Sequence, residues 1–177
     1  MTYSGDAGKQ RRRLAKVGRQ FSVLHIFCDG MTEGVVHHNR TDRLFDMDGK
    51  GEIAKNLAES HIASPDGLEH RFRIRAGRHF HDGTPVTAEQ CARSLRKYDA
   101  FSEAAVEADS VLDLRIVLKR QNPTLLNFLA TYPIINSAGS GSGPYQVVEQ
   151  VGDDLLLASH SDHPAVGPGS VSYTHLT

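Results

Sequence analysis

The chain has 177 residues, of which 39% are hydrophobic and 23% are charged, and its formal net charge is −1. These proportions are typical of globular proteins, so they exclude an intrinsically disordered chain and favour one domain, or two small lobes that share a core. No apolar run reaches the roughly 20 residues that a membrane-spanning helix needs.

The charge is distributed unevenly along the chain. Residues 1–20 carry six basic side chains and one acidic one, whereas the rest carries fourteen basic and twenty acidic ones. A basic arm is typical of nucleic-acid binding, of membrane-surface binding or of a targeting segment, but a solvated terminus is the commonest explanation. The apolar run at residues 21–28 is short, contains His25 and is not followed by a small-x-small cleavage site, so no standard signal peptide is predicted.

Short elements separated by turns are predicted up to residue 75. Phe21–Asp29 is predicted to be a short buried helix that ends at Gly30, and residues 31–36 a strand. The sequence Ser-Pro-Asp-Gly at 64–67 predicts a turn, because proline presets the second position and glycine supplies a positive φ. Residues 68–75 then alternate with a period of two, which predicts a strand. Its apolar face comprises Leu68, His70, Phe72 and Ile74, and its charged face Glu69, Arg71, Arg73 and Arg75.

Two helices and further strands are predicted after this strand. Asp82-Gly83 predicts a turn, and Thr87 predicts an N-cap whose capping box is completed by Gln90. The helix that follows has an apolar side of Ala88, Cys91, Ala92, Leu95 and Tyr98, so Cys91 is expected to be a buried free thiol. Residues 113–119 alternate again, and Asn122-Pro123 predicts the start of a leucine-rich helix.

A segment that connects two parts of the fold is predicted at the start of the last forty residues. Residues 137–143 are rich in glycine and serine, which predicts a linker or hinge. A hairpin is predicted next, with strands at 145–149 and 155–159. Val171–Leu176 is predicted to be a final strand.

Histidines near residue 80 are the most visible candidates for metal binding. His79 and His81 lie two apart on a predicted strand beside Asp82, and imidazole suits zinc, nickel or copper. Two such ligands do not complete a site, so we interpret the segment as a turn that precedes a helix and predict no metal site. The pairs His37-His38 and His160/His163 fall in loop-like segments and are interpreted in the same way.

No catalytic or cofactor motif is present in the sequence. It contains no G-x-S-x-G, P-loop or H-E-x-x-H pattern, so we expect no catalytic residue, no cofactor and no enzyme activity. The arginine row Arg71, Arg73 and Arg75 could bind carboxylates or phosphates, but such a row is more often the solvated face of an edge strand. Because no aromatic residues alternate with these charges on the same face, nucleic-acid binding is not predicted.

One long segment resembles a known family. Residues 57–90, LAESHIASPDGLEHRFRIRAGRHFHDGTPVTAEQ, closely resemble a block in the solute-binding proteins of the oligopeptide, dipeptide and nickel ABC-transporter family. In that family an LAESW phrase leads into a D-G turn, an FxLR strand and then G-x-F-H/S-D-G-T-P-V-T-A-E-D. Residues 114–130 resemble the family's next strand–helix unit, and GSGPYQVVEQ at 141–150 is similar to its GTGPY segment. His61 stands where the family usually has tryptophan, and residues 37–43 look like an insertion.

The resemblance implies an α/β fold of the type II periplasmic-binding-protein kind that is incomplete. Residues 1–35 would hold the basic arm and the first part of a large lobe, residues 36–140 an inserted α+β subdomain, and residues 141–177 the return to the large lobe. Because family members are far longer, the chain resembles an N-terminal fragment. The family's best-known solute contacts have no counterpart in it, so we assign no ligand-binding residue and expect the chain alone not to bind peptide tightly.

The function implied by the resemblance is solute binding for an ABC importer. The expected partners are a peptide or similar small solute and the permease subunits, with membrane association only through the permease, at a periplasmic or cell-surface location. One alternative is a cytoplasmic solute-sensing regulator that carries the same domain, which the basic arm and the lack of a clear signal peptide suggest. Another is a family member that binds nickel or another metal complex, which the ten histidines suggest.

Overall fold

A computed structural model describes residues 23–27, 39–151, 154–160 and 163–164. The strands are Val23–Phe27 (β1), Phe45–Met47 (β2), Ile53–Lys55 (β3), Ala58–Ala63 (β4), Glu69–Ile74 (β5), Ala105–Ala108 (β6), Asp113–Val117 (β7), Tyr145–Val151 (β8) and Asp154–Ser159 (β9). The helices that lie wholly within the described residues are Ala88–Leu95 (α1) and Leu125–Thr131 (α2), with a 3-10 turn at Asp99–Phe101. All strand pairs are antiparallel, in sheets of order β1-β9-β8, β2-β3 and β4-β5-β7-β6.

The strand predicted from its period of two is confirmed as β5. His70, Phe72 and Ile74 are buried on one face, while Arg71 and Arg73 are exposed on the other. The turn before it is also confirmed, with Gly67 at φ +65°. However, β5 pairs with β4 on one side and with β7 on the other, so the expectation of an edge strand is wrong. Alternation reports which face is buried, but it carries no information about how many neighbours a strand has.

Helix α1 packs against β6 and β7, and its apolar face enters the core as predicted. Ala88, Cys91, Ala92 and Leu95 are fully buried, together with Phe72 and Ile116 among the core residues. Burial raises the pKa of the Cys91 thiol to about 12, because it disfavours the thiolate. Since the thiolate is the reactive form, the sulfur is chemically inert in the folded chain.

An aromatic cluster surrounds the position at which the family usually has tryptophan. The ring of His61 stacks on Phe72 with the centroids 4.7 Å apart, and its edge meets Phe45 at 6.5 Å. His61 Nε2 also lies 3.0 Å from Nδ1 of His70 on the neighbouring strand. A planar ring therefore still packs against the core, and the pKa of His61 is lowered, first by its burial and then by His70.

The helix predicted over Phe21–Asp29 is wrong, because Val23–Phe27 forms β1. This strand pairs with β9, with Val23 opposite Ala158 and Phe27 opposite Asp154. A short apolar run does not distinguish a buried helix from a buried strand, and here a partner strand far along the chain decides the outcome. The basic arm, the pair His37-His38 and the strands predicted at residues 31–36 and 171–176 lie outside the described residues.

Helix α2 begins at Leu125, so Asn122 is not its N-cap as predicted. The N-cap is Thr124, whose side chain makes no capping hydrogen bond. Asn122 Oδ1 instead accepts hydrogen bonds from the backbone N (3.0 Å) and the hydroxyl (2.8 Å) of Thr124. Asparagine commonly bonds to the backbone two residues later, and that local turn competes with the capping position.

The cap of α1 is confirmed in its main part. Gln90 N donates to Thr87 Oγ1 over 3.3 Å, whereas Gln90 Oε1 has no hydrogen-bond partner among the described residues, so the capping box is not completed. We expect Thr87→Ala to lower the free energy of unfolding by about 1 kcal/mol, because a backbone donor loses its acceptor. Urea denaturation followed by circular dichroism measures this change.

The matched control for this prediction is Thr124→Ala, at an N-cap whose side chain makes no capping bond. Thr124→Ala is expected to lower the free energy of unfolding by less than Thr87→Ala does. Equal losses in the two variants would contradict a capping role for Thr87.

Candidate functional site

The strand predicted through His79 and His81 is wrong, whereas the interpretation of this segment as a turn that precedes a helix is confirmed. His79 forms an isolated bridge with Pro85, and His81 begins the turn closed by the hydrogen bond from Gly83 N to Phe80 O (2.8 Å). Asp82 Oδ1 accepts hydrogen bonds from the backbone and the hydroxyl of Thr84, as a residue that organises a turn does. In the part of the chain that the structure describes, no group of three or more His, Cys, Asp or Glu side chains could hold a metal ion.

The three arginines of the predicted row each bind a partner within the chain. Arg71 Nε lies 2.7 Å from Glu69, and Arg73 Nη1 lies 2.8 Å from both carboxylate oxygens of Asp113. Arg75 Nε donates to the backbone oxygen of Asn56 over 3.2 Å. These pairs form a charged, solvated sheet face and offer no ready site for a phosphate.

The stretch at residues 137–143, predicted to be a linker or hinge, ends in a tightly packed crossing: residues 141–143 are buried, whereas residues 137–139 are exposed. We call Gly141–Gly143 the glycine-rich segment. Both glycines are buried against residues 39–41, and Gly143 N donates to Arg40 O over 3.1 Å. A Cβ atom added at Gly141 would lie 2.0 Å from Arg40 O, and one added at Gly143 would lie 2.6 Å from Asn39 O. The two backbones therefore approach so closely that side chains are excluded at both positions.

A buried carboxylate at this crossing joins four separate parts of the chain. Asp42 Oδ2 accepts hydrogen bonds from Arg78 Nη2 and from Ser142 Oγ, the latter over 3.0 Å. Asp42 Oδ1 accepts from Asn56 Nδ2 and contacts His163 Nε2, both at 3.2 Å. The side chains of Asp42 and Arg78 are only 4% and 6% exposed, so the ion pair is shielded from solvent. We call Asp42, Arg78, Ser142 and His163, together with His81, the junction cluster.

The surroundings of Asp42 favour its charged form. Burial alone would raise the pKa of the Asp42 carboxyl, but the hydrogen bond from His163 and the positive charge of Arg78 outweigh it. The pKa therefore lies below its usual value, and the group stays ionised. Because Asp42 is an anion, its four partners act as donors, and His163 presents a protonated Nε2 to it.

His81 connects the turn before α1 to the glycine-rich segment. Its backbone N donates to Gly141 O over 2.8 Å, and its Nε2 lies 2.9 Å from Gly143 O. Its ring meets that of His160 edge-on, with the centroids 4.9 Å apart. The pKa of His81 is lowered, mainly because burial disfavours the cation; the bond to Gly143 opposes this effect, and His160 and Arg40 add to it.

The junction cluster contains serine, histidine and aspartate, but it does not form a nucleophilic triad. In such a triad the serine hydroxyl gives its proton to an imidazole that the aspartate orients. Here the hydroxyl proton of Ser142 is donated to Asp42, and Ser142 is completely buried. The geometry is suited to holding chain segments together and not to attacking a substrate.

Sequence reasoning did not single out Asp42, Arg78 or Ser142. Asp42 lay in a polar stretch interpreted as a loop, and Ser142 lay in a stretch interpreted as a linker. The available signal was the pair of glycines around Ser142, since glycine often marks a close approach of two backbones.

The first comparison with known proteins concerns sequence. The family model described as bacterial extracellular solute-binding proteins, family 5 Middle, matches residues 52–163. The glutathione-binding protein GsiB of Escherichia coli O1:K1 / APEC is 31% identical over an alignment of 126 residues that covers 64% of this chain and 25% of that protein. The chain thus spans about a quarter of the length of the curated relatives it matches.

Solved structures show the same fold. The substrate-binding domain of an oligopeptide ABC transporter from Bacillus anthracis Ames superposes with a TM-score of 0.65 at 17% identity, covering 78% of this chain and 35% of that one. NikA from Staphylococcus aureus in complex with Ni(L-His)2 superposes with a TM-score of 0.64 at 22% identity, covering 73% and 32%. The α/β, type II periplasmic-binding-protein class is therefore confirmed, with this chain corresponding to about a third of each neighbour.

Proposed function

Because this chain belongs to the bacterial extracellular solute-binding proteins, family 5, we propose that it forms part of the receptor of an ABC importer. The receptor captures a small solute and delivers it to permease subunits. The family match over residues 52–163 carries this proposal, since it includes the whole four-stranded sheet, the glycine-rich segment and the strands that follow. A peptide is the solute favoured by the relatives, which are named for binding glutathione.

We infer that the chain is divided into flanks of a large lobe, at residues 1–35 and 141–177, and an inserted subdomain at residues 36–140. The sheet β1-β9-β8 supports this division, because it pairs residues 23–27 with residues that follow the glycine-rich segment. The sheet β4-β5-β7-β6 supports it too, because all its strands lie between residues 58 and 117.

The proposed mechanism requires binding and closure but no bond-making chemistry. Two lobes close around the solute, and main-chain hydrogen bonds hold a peptide backbone. In this scheme the junction cluster keeps the inserted subdomain fixed to the large lobe. We place the receptor in the periplasm or at the cell surface, with the permease as its contact to the membrane and no nucleic-acid partner. None of the helices among the described residues has the length and apolarity required to cross a membrane.

Deleting the gene in the organism that encodes it tests this function. We expect uptake of radiolabelled glutathione or of a tripeptide mixture to fall, and the wild-type gene to restore it. A gene that carries Gly141→Ala should fail to restore uptake, because the substitution disrupts the crossing. A gene that carries Gly49→Ala should restore it, because an added Cβ there meets nothing within 4 Å. Unchanged uptake of every peptide tested would contradict peptide import.

The same strain distinguishes the nickel alternative. Uptake of a nickel–histidine complex is measured beside that of the peptides. If nickel uptake falls while peptide uptake does not, the solute is a metal complex and the peptide assignment is wrong.

A further inference from the structure

Three Asp-Gly pairs lie in turns that the structure describes, and their aspartates are held in the same way. Oδ1 of Asp48, Asp66 and Asp82 accepts a hydrogen bond from the backbone N two residues later, over 2.8 to 3.0 Å. This turn folds the side chain back along the main chain and brings its Cγ toward the nitrogen of the glycine between them. All three aspartates are exposed, so water reaches each of them. A fourth pair, Asp29-Gly30, lies outside the described residues.

The glycines of these pairs differ in the hydrogen bonds of their nitrogen. Gly67 N donates to Ser64 O over 2.9 Å, and Gly83 N donates to Phe80 O over 2.8 Å. Gly49 N makes no hydrogen bond with any described residue, and a Cβ atom added at Gly49 would meet nothing within 4 Å. Among the three pairs, only the nitrogen of Gly49 is therefore open to reaction with the neighbouring carboxyl group.

We propose that Asp48-Gly49 is the Asp-Gly pair at which the folded chain isomerises to isoaspartate, in preference to the pairs at residues 66–67 and 82–83. The nitrogen of Gly49 attacks Cγ of the neutral carboxylic acid and forms a C–N bond, while the carboxyl OH leaves as water with the amide proton. Water then opens the five-membered succinimide at either carbonyl group, which gives back aspartate or gives isoaspartate. The overall change is an isomerisation, so it requires no oxidant, reductant or enzyme.

A hydrogen bond on the glycine nitrogen opposes this reaction. The attack needs the nitrogen to lose its proton and the peptide plane to turn toward Cγ, and a bond to a backbone carbonyl holds both in place. Breaking one such bond lowers the rate by roughly two- to tenfold. The neutral acid is also scarcer at the other two pairs, because hydrogen bonds, chiefly from Ser64 and Thr84, lower the pKa of Asp66 and Asp82.

Isomerisation at this position would change the hairpin formed by β2 and β3. Asp48 O accepts a hydrogen bond from Gly51 N over 2.9 Å, and Asp48 Oδ1 accepts from Lys50 N and Glu52 N, both over 2.8 Å. In isoaspartate the side-chain carbons enter the main chain and the former main-chain carbonyl becomes a carboxylate, so these bonds cannot all be kept. The inference concerns the chemistry of this hairpin and does not depend on which solute the receptor binds.

Ageing of the 177-residue chain at neutral pH tests the proposal, with one sample folded in buffer and another unfolded in guanidinium chloride. After digestion with trypsin the three pairs lie in different peptides, at residues 44–50, 56–71 and 79–93. Reversed-phase chromatography separates the isoaspartyl form of each peptide, and electron-transfer fragmentation identifies the altered residue. The quantity compared is the rate of isoaspartate formation in the folded chain divided by the rate in the unfolded chain, for each pair.

We expect this ratio to be about two- to tenfold higher for Asp48-Gly49 than for either of the other pairs. Folding engages the nitrogens of Gly67 and Gly83 but leaves that of Gly49 unbonded to the described residues, and division by the unfolded rate removes the effect of the neighbouring residue types. A ratio at Asp48-Gly49 no higher than at the other pairs would overturn the proposal. So would isoaspartate at residue 48 that forms in the unfolded chain but not in the folded one. This comparison needs no variant.

Gly49→Ala assigns the reaction to the glycine nitrogen. The methyl group of alanine hinders the attack on Cγ, whereas the fold accepts it, because an added Cβ meets nothing within 4 Å. We expect isoaspartate at residue 48 to fall severalfold, while the amounts at residues 66 and 82 stay the same. An unchanged yield of isoaspartate in the peptide of residues 44–50 would contradict the proposal, because the product would then come from Asp46 in the same peptide.

Discussion

Arg78→Ala is expected to lower the free energy of unfolding by about 3–5 kcal/mol, the usual cost of removing one partner from a buried ion pair. The substitution leaves the carboxylate of Asp42 buried without its cation, while both side chains of the pair are almost inaccessible in the native fold. The hydrogen bonds from Ser142 and His163 remain, but they do not replace a full positive charge. Urea denaturation at pH 7 measures the difference.

The control for this variant is an ion pair of similar length at the surface. Arg93 Nε lies 2.8 Å from Glu89 on α1, and both side chains are about half exposed. Arg93→Gln should change stability by no more than about 0.5 kcal/mol, because solvent screens such pairs. If Arg78→Ala cost no more than Arg93→Gln, the buried pair would not be what holds the junction together.

Lowering the pH should reduce the loss in free energy of unfolding that Arg78→Ala causes. The pKa of Asp42 is lowered in the fold, so its charge contributes stability above the unfolded value of about 3.9. That contribution is lost as the pH falls through the folded value, because the native carboxylate must then take up a proton. The difference between wild type and Arg78→Ala is therefore expected to narrow below about pH 4.

Gly141→Ala is the second substitution expected to have a large effect. The added Cβ would lie 2.0 Å from the carbonyl oxygen of Arg40, which is backbone and cannot rotate away as a side chain can. Relief requires the two chain segments to separate, which also breaks the bonds from His81 and Gly143. We expect a loss of at least about 3 kcal/mol, at the upper end of the range for overpacked interiors, or a chain that does not fold.

Substitutions at two other glycines distinguish the effect of steric crowding on stability from the effect of backbone strain. Gly49 has nothing within 4 Å of an added Cβ, so Gly49→Ala should change stability by less than about 1 kcal/mol. Gly83 also has open space, but its φ is +82°, so alanine there should cost about 1–2 kcal/mol. Urea denaturation should rank Gly141→Ala as the most harmful of the three. A cost no greater than that of Gly83→Ala would show that the crossing is more loosely packed than its geometry indicates.

The sequence predicts the local features of this fold well. The turns at Gly67 and Gly83 both have positive φ, and the period of two identifies β5 and β7, because these signals are contained within a few neighbouring residues. The helix expected at residues 21–29 is a strand, because the pairing that decides its form lies about 130 residues further along. The same reason explains why β5 was placed at an edge.

The junction cluster was missed for a physical reason. Asp42, Ser142 and His163 are separated by as many as 121 positions, and none carries a local pattern that marks it as buried. A polar residue in a loop-like stretch is normally solvated, so only the folded chain reveals that these side chains meet. Glycine spacing could have indicated a close crossing, but not which segment lies on the other side.

The order of strands in the sheet β1-β9-β8 has a consequence for synthesis on the ribosome. Residues 23–27 are translated about 130 residues before β9, the strand to which they are hydrogen-bonded. At ordinary elongation rates this delay is roughly ten seconds, long enough for the intervening four-stranded unit to form first. Until β9 has been made, the backbone N–H and C=O groups of Val23–Phe27 lack the strand with which they pair in the fold, so this segment can pair with another chain during that interval.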